Sequence, residues 1–508
     1  MKQLLRVVLA VMMLSMGLNV MAQAEDPTPV PEPPQLLAWV AAGTAPGAQS
    51  PDNPGEIVLM DADGNMEAIL NVPTQAMMQR VVACGESADG RTFAFYIGNE
   101  NQGTITLLDE DNTLITLAND VSAMSCVGMG TLQFSADGSR VGYLDFSDNF
   151  TEAVSPRGRL VLADATNGEV LDRYENVAAF NLSSGLLTTV NFYDDNDGKA
   201  VEIAINADDG QQTSEVATLF ADTDNDCFYN SASISPRLSN QIAVVLGYRC
   251  TRGDVRDTQW QFHLVDTDAR SATLVQSGTT IGRFFPFTRT NTLVMAPDGA
   301  TVFFTVPDGL YNNSVSLKAM DLASSTVRDV VPQYVAMPSV SILPYDARAH
   351  APLLSPDGRW LAVVTSDPNS NADLNVIDLN APNLPPINIS AGSSGDTVVE
   401  MGFSGDGSAL YFIAGGTEGG DNVLFQLELA SGNAMRLNRG HYGHGVLDAE
   451  SGTMALIDWR AFADDEAPQL TLVEMNLADN SQSTMYESGT IVEGKLTDAS
   501  FIYPLAWR

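Results

Sequence analysis

Only four histidines occur in the 508 residues, and two of them stand at matched places. His350 lies five residues before Ser355 and His444 five before Ala449, each of which opens a copy of a recurring turn. The same count back from earlier copies falls on Asn230 and Asn291, while Glu400 lies one residue off it. Two imidazoles and a carboxylate around one axis suit a divalent transition metal. The same residues also suit the polar lining of a wet channel, which is the expectation adopted here.

Oxygen-only chemistry has separate candidates. Asp222, Asp224 and Asp226 alternate as the acids of a calcium loop do, but Cys227 holds the place of the loop glycine and Ser233 that of the bidentate glutamate. A second acidic turn, Asp194-Asp195-Asn196-Asp197-Gly198, has Tyr193 at its first ligand position. Both read as solvated acidic turns before they read as Ca2+ sites. A serine nucleophile would need Gly-x-Ser-x-Gly at a strand-to-helix elbow. The nearest approach, Gly402-Phe403-Ser404-Gly405-Asp406, belongs to one of the recurring turns.

Those turns are the organising feature of the chain. Ser87-Ala-Asp-Gly90, Ser135-Ala-Asp-Gly138, Ala296-Pro-Asp-Gly299, Ser355-Pro-Asp-Gly358 and Ser404-Gly-Asp-Gly407 are close copies. Leu182–Gly185, Ser235–Arg237 and Ala449–Gly452 are looser ones. The spacing is about 50 residues, the length of a four-stranded propeller blade with its loops. An apolar strand follows each turn, as in Leu361–Thr365, and a second strand ends at an acid, as in Val376-Ile377-Asp378. Pro at the second turn position pre-sets φ, Asp bonds backbone amides ahead of it, and Gly accepts the positive φ. No apolar pattern at helical period extends beyond a few residues, so the expectation is an all-β chain.

This pattern resembles the WD40-like repeat of TolB-type proteins and of the propellers in prolyl-oligopeptidase-like peptidases, in which Ser-Pro-Asp-Gly precedes an apolar strand and an aspartate closes a later one. The resemblance covers nearly all of residues 36–508 and implies a single β-propeller. It carries no particular function, because the repeat is scaffold in binding proteins and enzymes alike. Neither the additional α/β domain of TolB nor a hydrolase domain is recognisable.

Eight complete units are counted, and the two ends look like parts of one more. Leu37–Ala41, Glu56–Asp61 and Met66–Leu70 supply later strands without a turn before them, and Thr490–Leu496 reads as the missing first strand. Phe501–Trp507 then remains as a strand left over. The expectation is a ring of eight blades closed by both termini, or nine if the split unit stands independently.

Residues 1–24 have a cationic start (Lys2, Arg6), an apolar run from Val7 to Val20 and a small-x-small end, Ala22-Gln23-Ala24. This is the pattern of a cleaved secretory signal, implying a secreted or periplasmic protein. Residues 25–35, with five prolines, read as an extended spacer, and 36–508 as the propeller. Cleavage would remove two basic residues and no acid, moving the net charge from −38 to −40. Such a field disfavours nucleic acid and anionic lipid as partners.

In an exported chain the four cysteines read as two disulfides. With no Cys-x-x-Cys among them, a tetrathiolate zinc site is not indicated. Cys227 falls where an inner strand begins and Cys250 where the next strand ends, so those two are expected to meet. Cys84 and Cys126 remain as the second pair, across adjacent blades.

Taken together, the sequence points to an exported, monomeric, non-catalytic scaffold that binds a protein, glycan or small molecule. The alternative is a channel-site enzyme of the metal-dependent lactonase or lyase type, with His350, His444, Glu400 and the acidic turns as ligands and Ca2+ or a transition metal as cofactor.

Overall fold

The computed structural model describes residues 35–42, 55–72, 80–99, 101–126, 132–146, 158–183, 186–193, 200–207, 213–220, 227–235, 237–252, 255–281, 293–307, 314–335, 352–366, 372–390, 396–416, 422–440, 442–448, 451–460, 469–488, 491–492, 495–496 and 500–507. The signal and nearly all of the spacer, both acidic turns, His350 and Asn291 lie outside them.

The described chain is all-β, its only helical turn being Ala123–Ser125. Eight four-stranded blades follow one another along the chain: residues 80–121, 132–177, 177–220, 227–281, 293–335, 353–390, 396–440 and 442–488, here called the first to the eighth. The second and third share one long strand, Val170–Ser183, whose start pairs within the second blade and whose end pairs within the third. In each blade the strands pair antiparallel in chain order, innermost to outermost.

The two ends of the chain build one more four-stranded sheet, in the order Ser500–Trp507, Leu36–Ala42, Glu56–Met60, Met66–Asn71. Its core is shared with Phe93 and Phe95 of the first blade and with Ile457 and Leu472 of the eighth, so it closes the ring between them. The split unit therefore stands as a sheet of its own. Its inner strand is Ser500–Trp507, paired from Leu36↔Trp507 to Ala42↔Ser500 with a bulge at Leu505. Of Thr490–Leu496, expected in that role, the described strands Ile491–Val492 and Lys495–Leu496 instead pair with each other, Ile491↔Leu496. The physical reason is burial at this place: Ile502, Tyr503, Leu505 and Ala506 are all buried, and Thr490–Leu496, with Glu493-Gly494-Lys495 at its centre, has no such apolar run to offer. Pro504 is tolerated because an innermost strand has one edge without a ladder partner.

Burial falls from the middle of each blade outward. The second strand of the fourth blade is apolar on both faces, Ile242–Leu246 being wholly buried, because neighbouring blades press on each side. The outermost strand Met66–Asn71 is mostly exposed. Apolar clusters fill every blade-to-blade seam, as between Val190, Ile203 and Val244, and between Trp360, Val376 and Phe412.

The recurring turn is held by one hydrogen-bond pattern. The Ser355 hydroxyl donates to Asp357 Oδ1 (2.5 Å) and accepts the Trp360 N–H (2.9 Å), and the same Oδ1 accepts the Arg359 N–H (3.1 Å). Gly358, at φ +70°, closes the turn onto Ser355 O. Ser87, Ser135 and Ser404 repeat the arrangement with Asp89, Asp137 and Asp406. The acid ending the third strand does similar work: Asp109 Oδ1 accepts the N–H groups of Asp111 and Thr113 (3.0 and 2.7 Å). A backbone bond ties the two turns of a blade together, from Leu379 N to Arg359 O in the sixth and from Leu429 N to Ser408 O in the seventh. The Ser-x-Asp-Gly turn and the turn after the third strand thus emerge on one face of the blade.

Candidate functional site

The inner strands carry the residues singled out for the channel, and a β-bulge near the start of several of them sets their register. Pairing skips one residue between Tyr229 and Ser231, between Val398 and Glu400, and between Tyr442 and His444. A bulge re-aims the side chains around it. The skipped residues are Asn230, Val399 and Gly443; the residues immediately after are Ser231, Glu400 and His444. Glu400 and His444 therefore hold equivalent places in adjacent blades, opposite Ile413 and Ile457, and Asn230 sits one position earlier. The count back from Ala449 ran one residue long. In the eighth blade Asp448 pairs with Thr453 and receives the Gly452 N–H, taking the place that Ser404 has in the seventh.

Glu400 is buried, at 7% exposure. Its inner strand lies close against the next: a Cβ added at Gly402 would come within 2.8 Å of the Leu447 side chain. Among the described residues no three His, Cys, Asp or Glu side chains gather where they could hold a metal ion. His350 and Asn291, and the alternating acids Asp222, Asp224 and Asp226, lie outside the described residues.

Ser404 is a turn residue by its contacts. Its hydroxyl donates to Asp406 Oδ1 (2.7 Å) and accepts the Ala409 N–H (3.0 Å), both within the turn. The serine-bonded turn aspartates Asp89, Asp137, Asp357 and Asp406 are held below the usual carboxylate range by such donors. The Ser135 hydroxyl, followed by the Ser139 N–H and hydroxyl, brings Asp137 down to about 2, and the Ser355 hydroxyl lowers Asp357. These groups are anions at any physiological pH.

Two histidines escaped the sequence reading, of which His441 lies outside the described residues. His263, in the third strand of the fourth blade, is 2% exposed and lies between Val244 and Leu274 on the flanking strands. Burial pushes its pKa down to about 4. The alternation Trp260-Gln-Phe262-His-Leu264 places it on the face opposite Trp260 and Phe262, the one signal that could have marked it.

The disulfide Cys84–Cys126 is formed, with Cα atoms 4.7 Å apart, and joins the inner strand of the first blade to the segment leading into the second. Cys227 and Cys250 are Cα partners across the first two strands of the fourth blade.

A cleft of about 580 Å³ opens between the sixth and seventh blades on the face carrying the acidic turns. Asp357, Arg359 and Trp360 line it from one side, and Asp406, Glu428 and Met435 from the other. The Arg359 guanidinium lies 4.7 Å above the Trp360 ring and pairs with Asp378 at 2.8 Å.

No family model matches the chain, and no curated protein matches it. Among solved structures it is similar to one described as the eukaryotic initiation factor, at 9% identity and TM-score 0.51, with 92% of this chain and 98% of that chain covered. It is also similar to dipeptidyl peptidase 4 of Porphyromonas gingivalis, at 11% identity and TM-score 0.45, over 80% of this chain and 59% of that one. TolB of Acinetobacter baumannii is a further neighbour, at 13% identity and TM-score 0.26, over 84% and 82%. At 9% identity the first of these likenesses is one of fold alone.

Proposed function

We propose that this chain is an exported, non-catalytic β-propeller that serves as a rigid binding scaffold for a protein, glycan or small-molecule partner. The observation carrying the reading is the commitment of the recurring serines and aspartates to turn building: each such serine both donates to its aspartate and accepts a backbone N–H. Residue types that elsewhere do acid–base or nucleophilic work here hold the ring together, and its faces and clefts are left for contact. Export is supported by the pattern of residues 1–24 and by the Cys84–Cys126 disulfide, which persists in oxidising compartments.

The test is turnover. Purified protein, with and without added Zn2+ or Ca2+, is assayed against lactone and ester substrates and against uronate-containing glycans. The scaffold reading expects no metal-stimulated activity above buffer; turnover abolished by His444→Ala would replace it with the enzyme reading.

A further inference from the structure

The cleft between the sixth and seventh blades has a chemistry that selects its occupant. Asp357 Oδ1 is taken up by the Ser355 hydroxyl and the Arg359 N–H. Asp406 Oδ1 is held by the Ser404 hydroxyl and by the N–H and hydroxyl of Ser408. Glu428 Oε2 accepts the Ser431 hydroxyl at 2.6 Å. Each carboxylate thus spends one oxygen on its own turn, and the other has no hydrogen-bond partner among the described residues. The one cation in the lining, Arg359, is already neutralised by Asp378. Arg359 also acts on Asp357, so one cation stands against three carboxylates and the lining is anionic overall.

It is not purely polar. Met435, an unbranched and adaptable side chain, is 56% exposed on its wall, one of the few large apolar residues so exposed. Three acids that do not converge on a common point, beside an exposed thioether, do not describe an ion site. They complement a chain segment that alternates guanidinium or ammonium groups with apolar side chains.

We infer that this cleft docks a basic, partly apolar peptide segment of a partner protein, its arginine or lysine side chains meeting the outward oxygens of Asp357, Asp406 and Glu428, and an apolar side chain resting on Met435. The inference rests on the scaffold reading and gives it a location and a class of partner. Arginine is the better fit to carboxylates with one oxygen already fixed, because its planar fork can bond the outward oxygen and still stack along the wall.

The experiment is fluorescence anisotropy at 0.15 M NaCl with a labelled decapeptide alternating arginine and leucine. Saturable binding is expected, weakened about tenfold or more in the double variant Glu428→Gln/Met435→Ser. Glu169→Gln, which removes one exposed acid from a turn of the second blade, should leave affinity within about twofold. Equal losses in the two variants would show attraction to the general acidic field and overturn the site. So would absence of saturable binding, or full displacement by spermine with Met435→Ser harmless, which would indicate a small polycation. The residues changed are exposed or half-buried, and unchanged melting curves establish that the variants fold. Failure here removes the cleft assignment alone, whereas metal-stimulated turnover removes the scaffold reading.

Discussion

Cys227 and Cys250 stand directly opposite each other, as Cα partners at the far end of the first two strands of the fourth blade from their connecting turn. Adjacent strands bring such a pair within bridging reach. Peptide mapping without reduction is expected to recover Cys227 joined to Cys250 and Cys84 joined to Cys126. Recovery of Cys84 with Cys227 would contradict the register. Cys84→Ser/Cys126→Ser opens a loop of 42 residues, for which loss of chain constraint predicts about 4 kcal/mol of destabilisation.

Ring closure depends on the last strand. Removing residues 500–508 strips the inner strand from the split blade and exposes the core it shares with the first and eighth blades. That truncation should abolish a single cooperative melt, while removal of residues 25–34 should leave the melting temperature unchanged. Ile502→Ala, at a wholly buried position, should cost about 2–5 kcal/mol. Equal melting temperatures for the two truncations would argue against closure.

Much of this fold is legible in the sequence because one local device recurs. Ser-x-Asp-Gly is demanded by a hydroxyl that must donate and accept at once, a carboxylate that gathers amides, and a residue free to take positive φ, so residue types reveal the turn wherever it is built. What is illegible is pairing between distant parts of the chain. Thr490–Leu496 and Phe501–Trp507 both read as strands, and only the burial that this place in the ring imposes on Ile502, Tyr503, Leu505 and Ala506 distinguishes them. The channel register slipped for a related reason. The eighth-blade turn begins at Asp448, not Ala449, and one residue of miscounting separates His444 from Glu400, which in fact share a position. His263 went unnoticed because a lone histidine within an alternating strand looks like any polar residue on a solvated face.

His263 gives the fold a defined acid sensitivity. Its folded pKa of about 4 lies below the ordinary 6.5, so the unfolded chain takes up a proton first as pH falls. Stability is complete above pH 6.5 and declines between 6.5 and 4, by about 3 kcal/mol if the full shift is expressed. The turn aspartates act lower down. The folded pKa values of Asp89, Asp137, Asp357 and Asp406 are depressed, so their contribution is present above the unfolded value of 3.8 and is lost as pH falls through the folded one, about 2 for Asp137. Chemical denaturation across pH 4–7 should show the decline in the native protein and a flatter profile in His263→Leu.

A net charge of −38 on one folded body is self-repelling, and salt screens it as the Debye length falls to about 3 Å at 1 M. Melting temperature should rise with NaCl from low salt to 1 M. A flat or falling profile would show that the acids are spaced widely enough for repulsion to be negligible.

Whether the channel performs chemistry or only lines a scaffold turns on Glu400 and His444, which hold the same register in neighbouring blades, and on His350, the third group the sequence places near the axis. The most direct measurement is the metal content of the purified full chain, by plasma mass spectrometry after dialysis without chelator, beside the variant His350→Ala/His444→Ala. The scaffold account predicts far less than one equivalent of any transition metal in both proteins and indistinguishable melting temperatures. One equivalent of zinc in the native chain, absent from the variant, would contradict it.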